Sequence, residues 1–550
     1  MSIYDKSSLV LIPSGTKTGK VYSQKPVSGD GDFTFTRSSA ATRVNADGFI
    51  EKETQNLANY SNTFSTGWTP SNASVTGGQA GYDGSSNAWL LNKTAAYGSM
   101  YQTGISVSNT SVYTFSVYMK ANASNVGSIR FWTNNVGADF RVNYNLTTGA
   151  IATASANNGT RIDAVATDVG GGWWRVSVTG LTGQTSATLN IYAGDTADTS
   201  GSIYIQDAQL EEGLVARDYI ETTTTAVEGG ITDNVPRLDY TDSSCPALLL
   251  EPQRTNILRA SEYLLYDWAF VGGVSATSNN SISPEGVQNA TSLSWGGGSY
   301  MYYLAGDYNG QTLTFSFWAK GTAGETIVSR GNTSVNASQY KTHTFDGTWQ
   351  RFTHTINGGT YNYVYPFDNR ATMSALSMEI YGLQLEAGSY ATSYIPTYGS
   401  SVTRVNDGSL SLPISQTLND FTLYWEGSLL QDGQNMLFGG GTGGWYLDVT
   451  GSNGRIVLDT NTGRKYQAFS TLRTGQTHKV AMKRTNGVID AFVDGVKLTP
   501  TTQVTDTTAL SLVSIVWSFS STYYPKMNLN QVLTMQSALT DQEAIDLTTI

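Results

Sequence analysis

The stretch Tyr113-Thr-Phe-Ser-Val-Tyr-Met-Lys120 alternates between two kinds of side chain along its whole length. One set is apolar and consists of Tyr113, Phe115, Val117 and Met119. The other set is mostly polar and consists of Thr114, Ser116, Tyr118 and Lys120. Because successive side chains of a β-strand point to opposite faces, this pattern predicts a strand with one buried and one outward face. An antiparallel sheet that covers a core on one side has this pattern.

The same alternation returns later in the chain as Leu313-Thr-Phe-Ser-Phe-Trp-Ala-Lys320. Three more segments recur in the same order, which indicates two copies of one structural unit. The matching pairs are Gly172–Val178 with Thr348–His354, Ile203–Gly213 with Met378–Gly388, and Ala216–Ile220 with Ala391–Ile395. The chain is therefore predicted to contain two related β-modules.

A shorter motif marks the joints between units. Ala41-Thr-Arg-Val-Asn45 precedes the first copy, and Val402-Thr-Arg-Val-Asn406 follows the second. A looser version, Pro236-Arg-Leu-Asp239, lies between them. We interpret each occurrence as the opening strand of the unit that follows it.

Short alternating segments separated by Gly, Asn, Asp and Ser turns predict an all-β fold of several antiparallel β-sandwiches or jelly rolls. Helix is expected chiefly at the C-terminus, where Thr540-Asp-Gln-Glu543 forms a capping box. The predicted divisions are an N-terminal segment at 1–50, a first module at 51–225, a connector at 226–255, a second module at 256–398 and a third domain at 399–550.

Composition excludes several classes of function. The net charge is −11, from 32 basic and 43 acidic residues, and no basic block occurs, so nucleic-acid binding is disfavoured. No apolar run approaches the roughly 20 residues of a membrane helix, so membrane insertion is not expected. Cys245 is the single cysteine, which rules out an intrachain disulfide. No secretory signal is visible, and assembly onto a virus particle released by lysis is one route by which such a chain would reach the outside of a cell.

The repeated modules resemble carbohydrate-binding-module jelly rolls that are common in bacteriophage tail-fibre and head-fibre proteins. The segments that carry this resemblance are Tyr113–Ala121, Gly171–Val178, Ile203–Gly213 and Tyr219–Ala226. The first 50 residues resemble the start of phage fibre proteins, a segment that often attaches to the particle and helps to form homotrimers.

Residues 417–550 resemble concanavalin-A-like or laminin-G-like sandwiches. The stretch His478–Leu498 reads as a strand, a Thr-Asn-Gly turn and a second strand that ends at the tight Asp494-Gly495 turn. The tail Gln536–Leu547 looks like the closing helix of that family.

These resemblances imply a phage virion appendage, located at the virion surface, that binds host cell-surface glycans during adsorption. Its other partners would be virion proteins held through residues 1–50. The alternatives are a structural capsid-decoration or spacer protein without a ligand, and a polysaccharide depolymerase. No Gly-x-Ser-x-Gly elbow or marked carboxylate pair is visible, so we do not expect an enzyme.

Sugar-binding modules present aromatic rings on which pyranose rings stack. Tyr118 and Trp318 are the leading candidates because they occupy equivalent positions on outward faces. The alternative is that both rings pack against a neighbouring strand, a covering loop or another subunit. The further glycan-binding candidates are Lys120, Lys320, Trp132 and Trp295.

No cofactor is expected, although jelly rolls of this type often hold a structural Ca²⁺ through carboxylate and carbonyl oxygens. Asp207 and Glu211 flank the last predicted strand of the first module, and Asp83 lies in a Gly-rich loop. These three residues are the candidate ligands. The histidines lack the spacing of a transition-metal site, although His343 and His354 could meet across a hairpin.

Overall fold

The computed structural model describes residues 2–133, 138–333, 339–370, 376–408, 410–440, 443–450, 453–460, 463–515 and 526–550. Strands account for 55% of the chain and helices for 3%. The strands form antiparallel sandwiches, which confirms the predicted all-β fold. Large apolar cores fill three sandwiches, which we call the first module, the second module and the third domain.

Short elements precede the first module. They are α1 (Ile3–Lys6), β1 (Leu9–Leu11), β2 (Thr16–Lys17), β3 (Lys20–Val21), β4 (Phe33–Thr34), β5 (Arg43–Val44), β6 (Ile50–Glu51) and β7 (Thr54–Asn56).

The first module is a sandwich of two sheets. Its strands are β8 (Thr69–Ser71), β9 (Ala73–Gln79), β10 (Ala88–Lys93), β11 (Ser99–Ser106), β12 (Val112–Ala121), β13 (Val126–Thr133), β14 (Asp139–Asn145), β15 (Ile151–Asn157), β16 (Arg161–Gly170), β17 (Trp173–Leu181), β18 (Ser186–Ala193) and β19 (Gly201–Glu212). One sheet has the order β16-β17-β12-β19-β10-β9, and the other has the order β15-β14-β13-β18-β11-β8.

The connecting strands and the second module follow. They are β20 (Val227–Gly229), β21 (Leu238–Asp239), β22 (Ala247–Leu250), β23 (Arg254–Asn256), α2 (Leu264–Asp267), β24 (Ala269–Val271), β25 (Ser275–Ser281), β26 (Ala290–Trp295), β27 (Tyr300–Ala305), β28 (Thr312–Lys320), β29 (Thr326–Thr333), β30 (Gln339–Thr344), β31 (Gln350–Asn357), β32 (Asn362–Asp368) and β33 (Leu376–Ala387). The second module consists of the sheets β25-β26-β33-β28-β31 and β24-β27-β32-β29-β30.

The third domain closes the chain. Its elements are β34 (Val402–Arg404), β35 (Leu410–Leu418), β36 (Phe421–Leu429), β37 (Gly433–Gly440), β38 (Gly443–Thr450), β39 (Asn453–Thr460), β40 (Gly463–Ser470), β41 (Thr477–Thr485), β42 (Val488–Val493), β43 (Val496–Lys497), β44 (Pro500–Gln503), β45 (Leu510–Ile515), β46 (Met527–Met535) and α3 (Asp541–Thr548). The predicted capping box is present at α3, where the Thr540 hydroxyl accepts from the backbone N–H of Glu543 at 3.2 Å.

The N-terminal segment and the connector do not stand apart from the third domain. β1 pairs with β46, β4 pairs with β35, and β22 pairs with the same edge of β46 as β1, opposite β36. Leu9, Leu11 and Phe33 are buried in the same core as Trp425 and Trp445. Our predicted divisions at 1–50 and 226–255 differ from this arrangement, because short apolar strands cannot bury their side chains alone and are completed by a sheet several hundred residues away.

The joint motifs form short strands, namely β5, β34 and the start of β21. Arg237 and Arg404 are fully buried and share the Glu251 carboxylate. Arg43 instead forms a partly exposed pair with Glu51. In the described residues, no helix is long and apolar enough to cross a membrane.

Candidate glycan-binding face

The two sheets of each module have different surroundings. We call the sheet that contains β12 or β28 the covered sheet, and the sheet that contains β13 or β29 the open sheet. Tyr118 and Trp318 both lie on covered sheets, directly opposite Arg175 and Arg351 of the neighbouring strand. What covers each outward face therefore decides whether these rings can serve as platforms.

Tyr118 is not an exposed platform, since only 8% of it is accessible. The Tyr82 ring stacks on it with centroids 3.9 Å apart and planes 2° apart, and the Arg175 guanidinium lies 5.3 Å from its centroid. These surroundings match the covering-loop alternative, and a glycan contact at Tyr118 stays a prediction. Alternation along β12 fixes the face on which the ring lies but carries no information about a loop that comes from elsewhere in the chain.

Trp318 is half-buried. The Arg351 guanidinium lies 4.4 Å from its ring centroid, and the Tyr394 ring meets it edge-on at 5.6 Å. The two predicted lysines, Lys120 and Lys320, are more exposed than the rings of Tyr118 and Trp318 on the same strands. Lys120 is partly exposed at the end of β12, and the Lys320 ammonium lies 3.6 Å from the Glu379 carboxylate. The lysines thus stay accessible, but the rings beside them do not form an open surface.

The two weaker tryptophan candidates have opposite outcomes. Trp295 is buried in the core of the second module and stacks on Phe367 at 3.9 Å. Trp132 lies on the open sheet of the first module and is half-buried. The Arg130 guanidinium lies 4.8 Å from its centroid, and its Nε1 donates to Asn190 Oδ1 at 3.2 Å. Of these two tryptophans, only Trp132 has a partly exposed ring.

The open sheet of the second module carries a feature that we did not single out from the sequence. Six tyrosines lie on its outward face, and we call this surface the tyrosine face. They are Tyr300 and Tyr302 on β27, Tyr340 on β30, and Tyr361, Tyr363 and Tyr365 on or beside β32. Tyr340 is 61% exposed and Tyr361 is 47% exposed, whereas Tyr365 is only 6% exposed.

The rings of the tyrosine face form a continuous surface. Tyr302 lies 5.6 Å from Tyr363 and 5.7 Å from Tyr365, centroid to centroid. Tyr361 extends the row 5.8 Å beyond Tyr363, and Tyr300 lies 5.9 Å from Tyr365. These spacings lie within the range of favourable aromatic pairs, so neighbouring rings hold each other in place.

Alternation builds this face. In β27, Met301 and Tyr303 point into the core while Tyr300 and Tyr302 point outward, and β32 buries Val364 between its tyrosines. The signal was present in the sequence as tyrosines at every second position. It escaped notice because the segments that match between the two copies lie on the covered sheets.

Charged groups complete the tyrosine face. Arg330 lies 4.8 Å from the Tyr365 centroid, and Arg370 lies 4.2 Å from the Tyr300 centroid. Both donate to the Asp368 carboxylate, from Arg330 Nη1 at 3.1 Å and from Arg370 Nε at 2.8 Å. Burial raises the pKa of Asp368 while Arg330 lowers it. The face therefore offers ring planes, phenol hydroxyls and guanidinium donors together.

The first module keeps part of this arrangement. Arg130 occupies the same position in β13 that Arg330 occupies in β29, the fifth residue of each strand. In the first module, Arg130 pairs with Asp139 through two hydrogen bonds of 2.8 and 2.7 Å. An arginine stacked on an aromatic ring and paired with an aspartate is thus common to both open sheets.

The predicted calcium ligands are held by other partners. Asp207 is buried with a φ of +52°, and its Oδ2 accepts from the Tyr82 hydroxyl at 2.9 Å. Glu211 accepts from Gln209 and from the backbone of residue 217, and Asp83 accepts from Ser85. Burial raises the pKa of Asp207 to about 6. Within the described residues, no group of three or more His, Cys, Asp or Glu side chains is arranged to hold a metal.

The two histidines of the second module do meet. The Ser329 hydroxyl lies 2.8 Å from His343 Nε2 and 2.9 Å from His354 Nδ1, and all three side chains are buried. Burial lowers the pKa of each histidine to about 4. Both rings are therefore neutral near pH 7, and their contact is part of the core.

No family model matches the sequence, and no curated protein matches it. Among solved structures, domain 4 of AbnA, a GH43 extracellular arabinanase from Geobacillus stearothermophilus in complex with arabinotriose, is 17% identical over 30% of this chain and 84% of that chain, with a TM-score of 0.22. The CBM22-1-CBM22-2 tandem domain of Paenibacillus barcinonensis Xyn10C is 15% identical over 59% of this chain and 94% of that chain, with a TM-score of 0.20. Domains LG4-5 of the mouse laminin alpha1 chain are 11% identical over 50% of this chain and 92% of that chain, with a TM-score of 0.19. At these identities and TM-scores the likenesses settle neither ligand nor activity, and the β-sandwich architecture rests on the strand pairings.

Proposed function

We propose that this chain is a glycan-binding protein and that the tyrosine face of its second module is the principal binding surface. The observation that carries the proposal is the group of tyrosines on the outward side of one sheet, in which Tyr340 and Tyr361 are about half-exposed or more and Tyr365 is buried beneath its neighbours. Pyranose rings have apolar faces that stack on aromatic planes, while phenol hydroxyls and guanidinium groups can hydrogen-bond to sugar hydroxyls.

Several features support a polysaccharide rather than a single sugar as the ligand. The row from Tyr361 through Tyr363 to Tyr302 presents successive rings. An extended saccharide could contact more than one of these rings at once. A surface built on strands holds its side chains more rigidly than a loop does, which lowers the entropic cost of binding.

We further propose that the protein acts as a virion appendage that contacts host-surface glycans. The resemblance of the modules and of residues 1–50 to phage fibre proteins supports this role. Weak sites gain strength when several copies act together, because the second contact forms at a high effective concentration. Since β1 and β4 belong to the third domain, the surface that attaches to the particle would include that domain.

The proposal is tested with Tyr302→Ala and Tyr361→Ala variants in affinity electrophoresis against host-surface polysaccharides. Truncating an aromatic anchor at the centre of an interface costs more than about 1–2 kcal/mol, so each variant is expected to bind roughly tenfold more weakly. Thermal melts of the same variants check that the fold is intact.

A matched control is Phe469→Ala, because Phe469 is a 58%-exposed aromatic on β40 of the third domain. Its binding should equal that of the wild type. The tyrosine face would be excluded as a glycan site if both tyrosine variants were retarded as strongly as the wild type. It would also be excluded if no polysaccharide retarded the wild type. The spacer function would then be the better account.

A pocket of about 200 Å³ favours a second candidate, the polysaccharide depolymerase. Glu53 and Glu212 both line it. Burial, followed by the charges of Glu228, Asp233 and Glu212, raises the pKa of Glu53 to about 7, and burial raises the pKa of Glu212. Glycoside hydrolysis needs a protonated carboxyl beside a carboxylate. Release of reducing ends by the wild type, and its loss in Glu53→Gln, would establish this activity.

A further inference from the structure

A second pocket, of about 320 Å³, lies where the covered sheet of the second module meets the third domain and the β5–β6 hairpin. Its volume is at the lower end of the range for small-molecule sites, which often form at domain boundaries. The lining residues that matter here are Trp318, Tyr394, Arg351, Lys526, Asp239 and Asp242. This pocket is separate from the tyrosine face, which lies on the other sheet of the same module.

The pocket has an aromatic wall beside an arginine with unused capacity. The Arg351 guanidinium stacks on Trp318 and donates from Nη2 to Ser316 Oγ at 3.0 Å. In the part of the chain that the structure describes, no carboxylate lies within ion-pair distance of Arg351. A guanidinium has five N–H donors, and Arg351 Nε is buried without a hydrogen-bond partner, so part of the hydrogen-bonding capacity of this group is unused.

Donors and acceptors are both present in the lining. Lys526 donates to the carbonyl of Ala391 at 2.6 Å, and its ammonium also lies 3.9 Å from the Glu251 carboxylate, which lines the pocket as well. Asp242 accepts from Asn528 Nδ2 at 3.1 Å, and Asp239 accepts from the backbone N–H of Val44 at 2.9 Å. Each carboxylate offers about four lone-pair sites, so acceptor capacity also remains.

The first module provides an internal comparison. Ser116, Tyr118 and Arg175 repeat the arrangement of Ser316, Trp318 and Arg351, including the serine–arginine hydrogen bond at 3.2 Å. There the Tyr82 ring occupies the outer side of Tyr118 at 3.9 Å. In the second module the ring equivalent to Tyr118 is Trp318, and it forms part of the pocket wall.

Strand pairing identifies the residue that replaces Tyr82. Ile205 and Ile380 are equivalent residues of the repeated strand, and they pair with Trp89 and Thr291 respectively, so Trp89 and Thr291 are equivalent too. Tyr82 precedes Trp89 by the same number of residues as Pro284 precedes Thr291, so Pro284 is the equivalent of Tyr82. The second module therefore lacks the aromatic lid of the first, and Ile50 and the pocket lie beside Trp318 instead.

From this geometry we infer that the Trp318 pocket is a second saccharide site, which takes one or two sugar units. An aromatic plane with both donors and acceptors around it matches a ring whose faces are apolar and whose edge carries hydroxyls. The chain would then hold a polysaccharide on one sheet of the second module and a short saccharide end or branch on the other.

The site is tested on the full chain labelled with 5-fluorotryptophan, in which Trp318→Phe assigns the ¹⁹F resonance of Trp318. The probes are the methyl glycosides of glucose, galactose, N-acetylglucosamine and glucuronate, titrated into the millimolar range that suits a single-sugar site. We expect at least one probe to move the Trp318 resonance in a saturable way. No saturable shift with any of the four would overturn the inference.

The internal repeat supplies the matched control. Arg351→Lys keeps the charge but loses the planar fork, so we expect roughly fivefold weaker binding, equivalent to one lost hydrogen bond. The same change at Arg175 should leave the titration unaltered. Equal affinities for the wild type and Arg351→Lys would contradict the assignment.

The tyrosine-face variants separate the two sites. Tyr361→Ala leaves the pocket intact, so it should weaken polysaccharide retardation while the Trp318 titration stays unchanged. Loss of the Trp318 titration in Tyr361→Ala would show that the shift reports the tyrosine face, which would also overturn the inference.

Discussion

At the scale of single residues, Glu53 is held in an environment that disfavours its charge. Burial and three neighbouring carboxylates raise its pKa from 4.5 to about 7. Because the pKa of Glu53 is higher in the folded chain than in the unfolded chain, its protonated form favours folding. This contribution to the free energy of unfolding is fully present below pH 4.5 and is lost as the pH rises through 7. We therefore expect Glu53→Gln to melt at a higher temperature than the wild type at pH 8, and the difference to shrink by pH 5.

The control for this measurement is Glu51→Gln on the neighbouring strand β6. Glu51 pairs with Arg43 at 2.8 Å and is partly exposed, so its loss should change stability by no more than about 1 kcal/mol. That change should be similar at pH 5 and pH 8. If the melting temperatures of Glu53→Gln and the wild type differed by the same amount at pH 5 and pH 8, the charged form of Glu53 would not destabilise the fold.

Single residues also show how far the sequence could predict the site. Alternation placed Tyr118 and Trp318 on the outward side of their sheets, and both lie there. It could not show that Tyr82 stacks on Tyr118, because that contact depends on tertiary structure. Nor could it show that the second copy puts a proline at the matching place and leaves Trp318 beside a pocket.

At the scale of elements, strands β29, β30 and β31 bring Ser329, His343 and His354 together in the core. Burial is the largest cause that lowers both histidine pKa values from 6.5 to about 4, and the charge of Lys341 lowers them further. A lowered histidine pKa gives stability that is present above pH 6.5 and is lost as the pH falls towards 4, because the unfolded chain takes up protons first.

The prediction is that the second module loses stability between pH 6.5 and 4. A variant with His343→Gln and His354→Gln cannot take up these protons, while its amides can still hydrogen-bond to Ser329. Calorimetric melts at several pH values should show the melting temperature of the wild type falling more steeply than that of the variant. Parallel curves would mean that other groups account for the acid sensitivity.

Elements also differ in how well the sequence predicted them. The predicted hairpin of the third domain is confirmed, because β41 pairs with β42 and residues Asn486 and Gly487 turn with positive φ, as a tight turn requires. The short strands β1 and β4 were visible as apolar pieces. Their partners β46 and β35 were not, since no local pattern specifies pairing across hundreds of residues.

At the scale of the whole molecule, one carboxylate joins segments from three distant parts of the chain. Asp407 accepts from Arg37 Nη1 at 3.0 Å, from the Arg237 guanidinium and from the backbone N–H of Glu251 at 2.8 Å. Burial lowers the pKa of Arg37, and Asp407 counteracts this shift. Arg237 comes from the repeated joint motif, whereas Arg37 lies just before the first copy of that motif, and both meet Asp407 where the N-terminal segment, the connector and the third domain come together.

Removing Asp407 should destabilise the whole chain, because it would leave two buried guanidinium groups without this partner. Breaking a buried ion pair on one side typically costs about 3–5 kcal/mol. We expect Asp407→Ala to lower the denaturant midpoint by that equivalent, whereas Asp267→Ala, which breaks the exposed pair with Arg259, should cost no more than about 1 kcal/mol. Similar losses for the two variants would show that the joint does not hold the sandwiches together. A large loss for Asp407→Ala alone would mean that the stability of the chain depends on the buried charges at this joint.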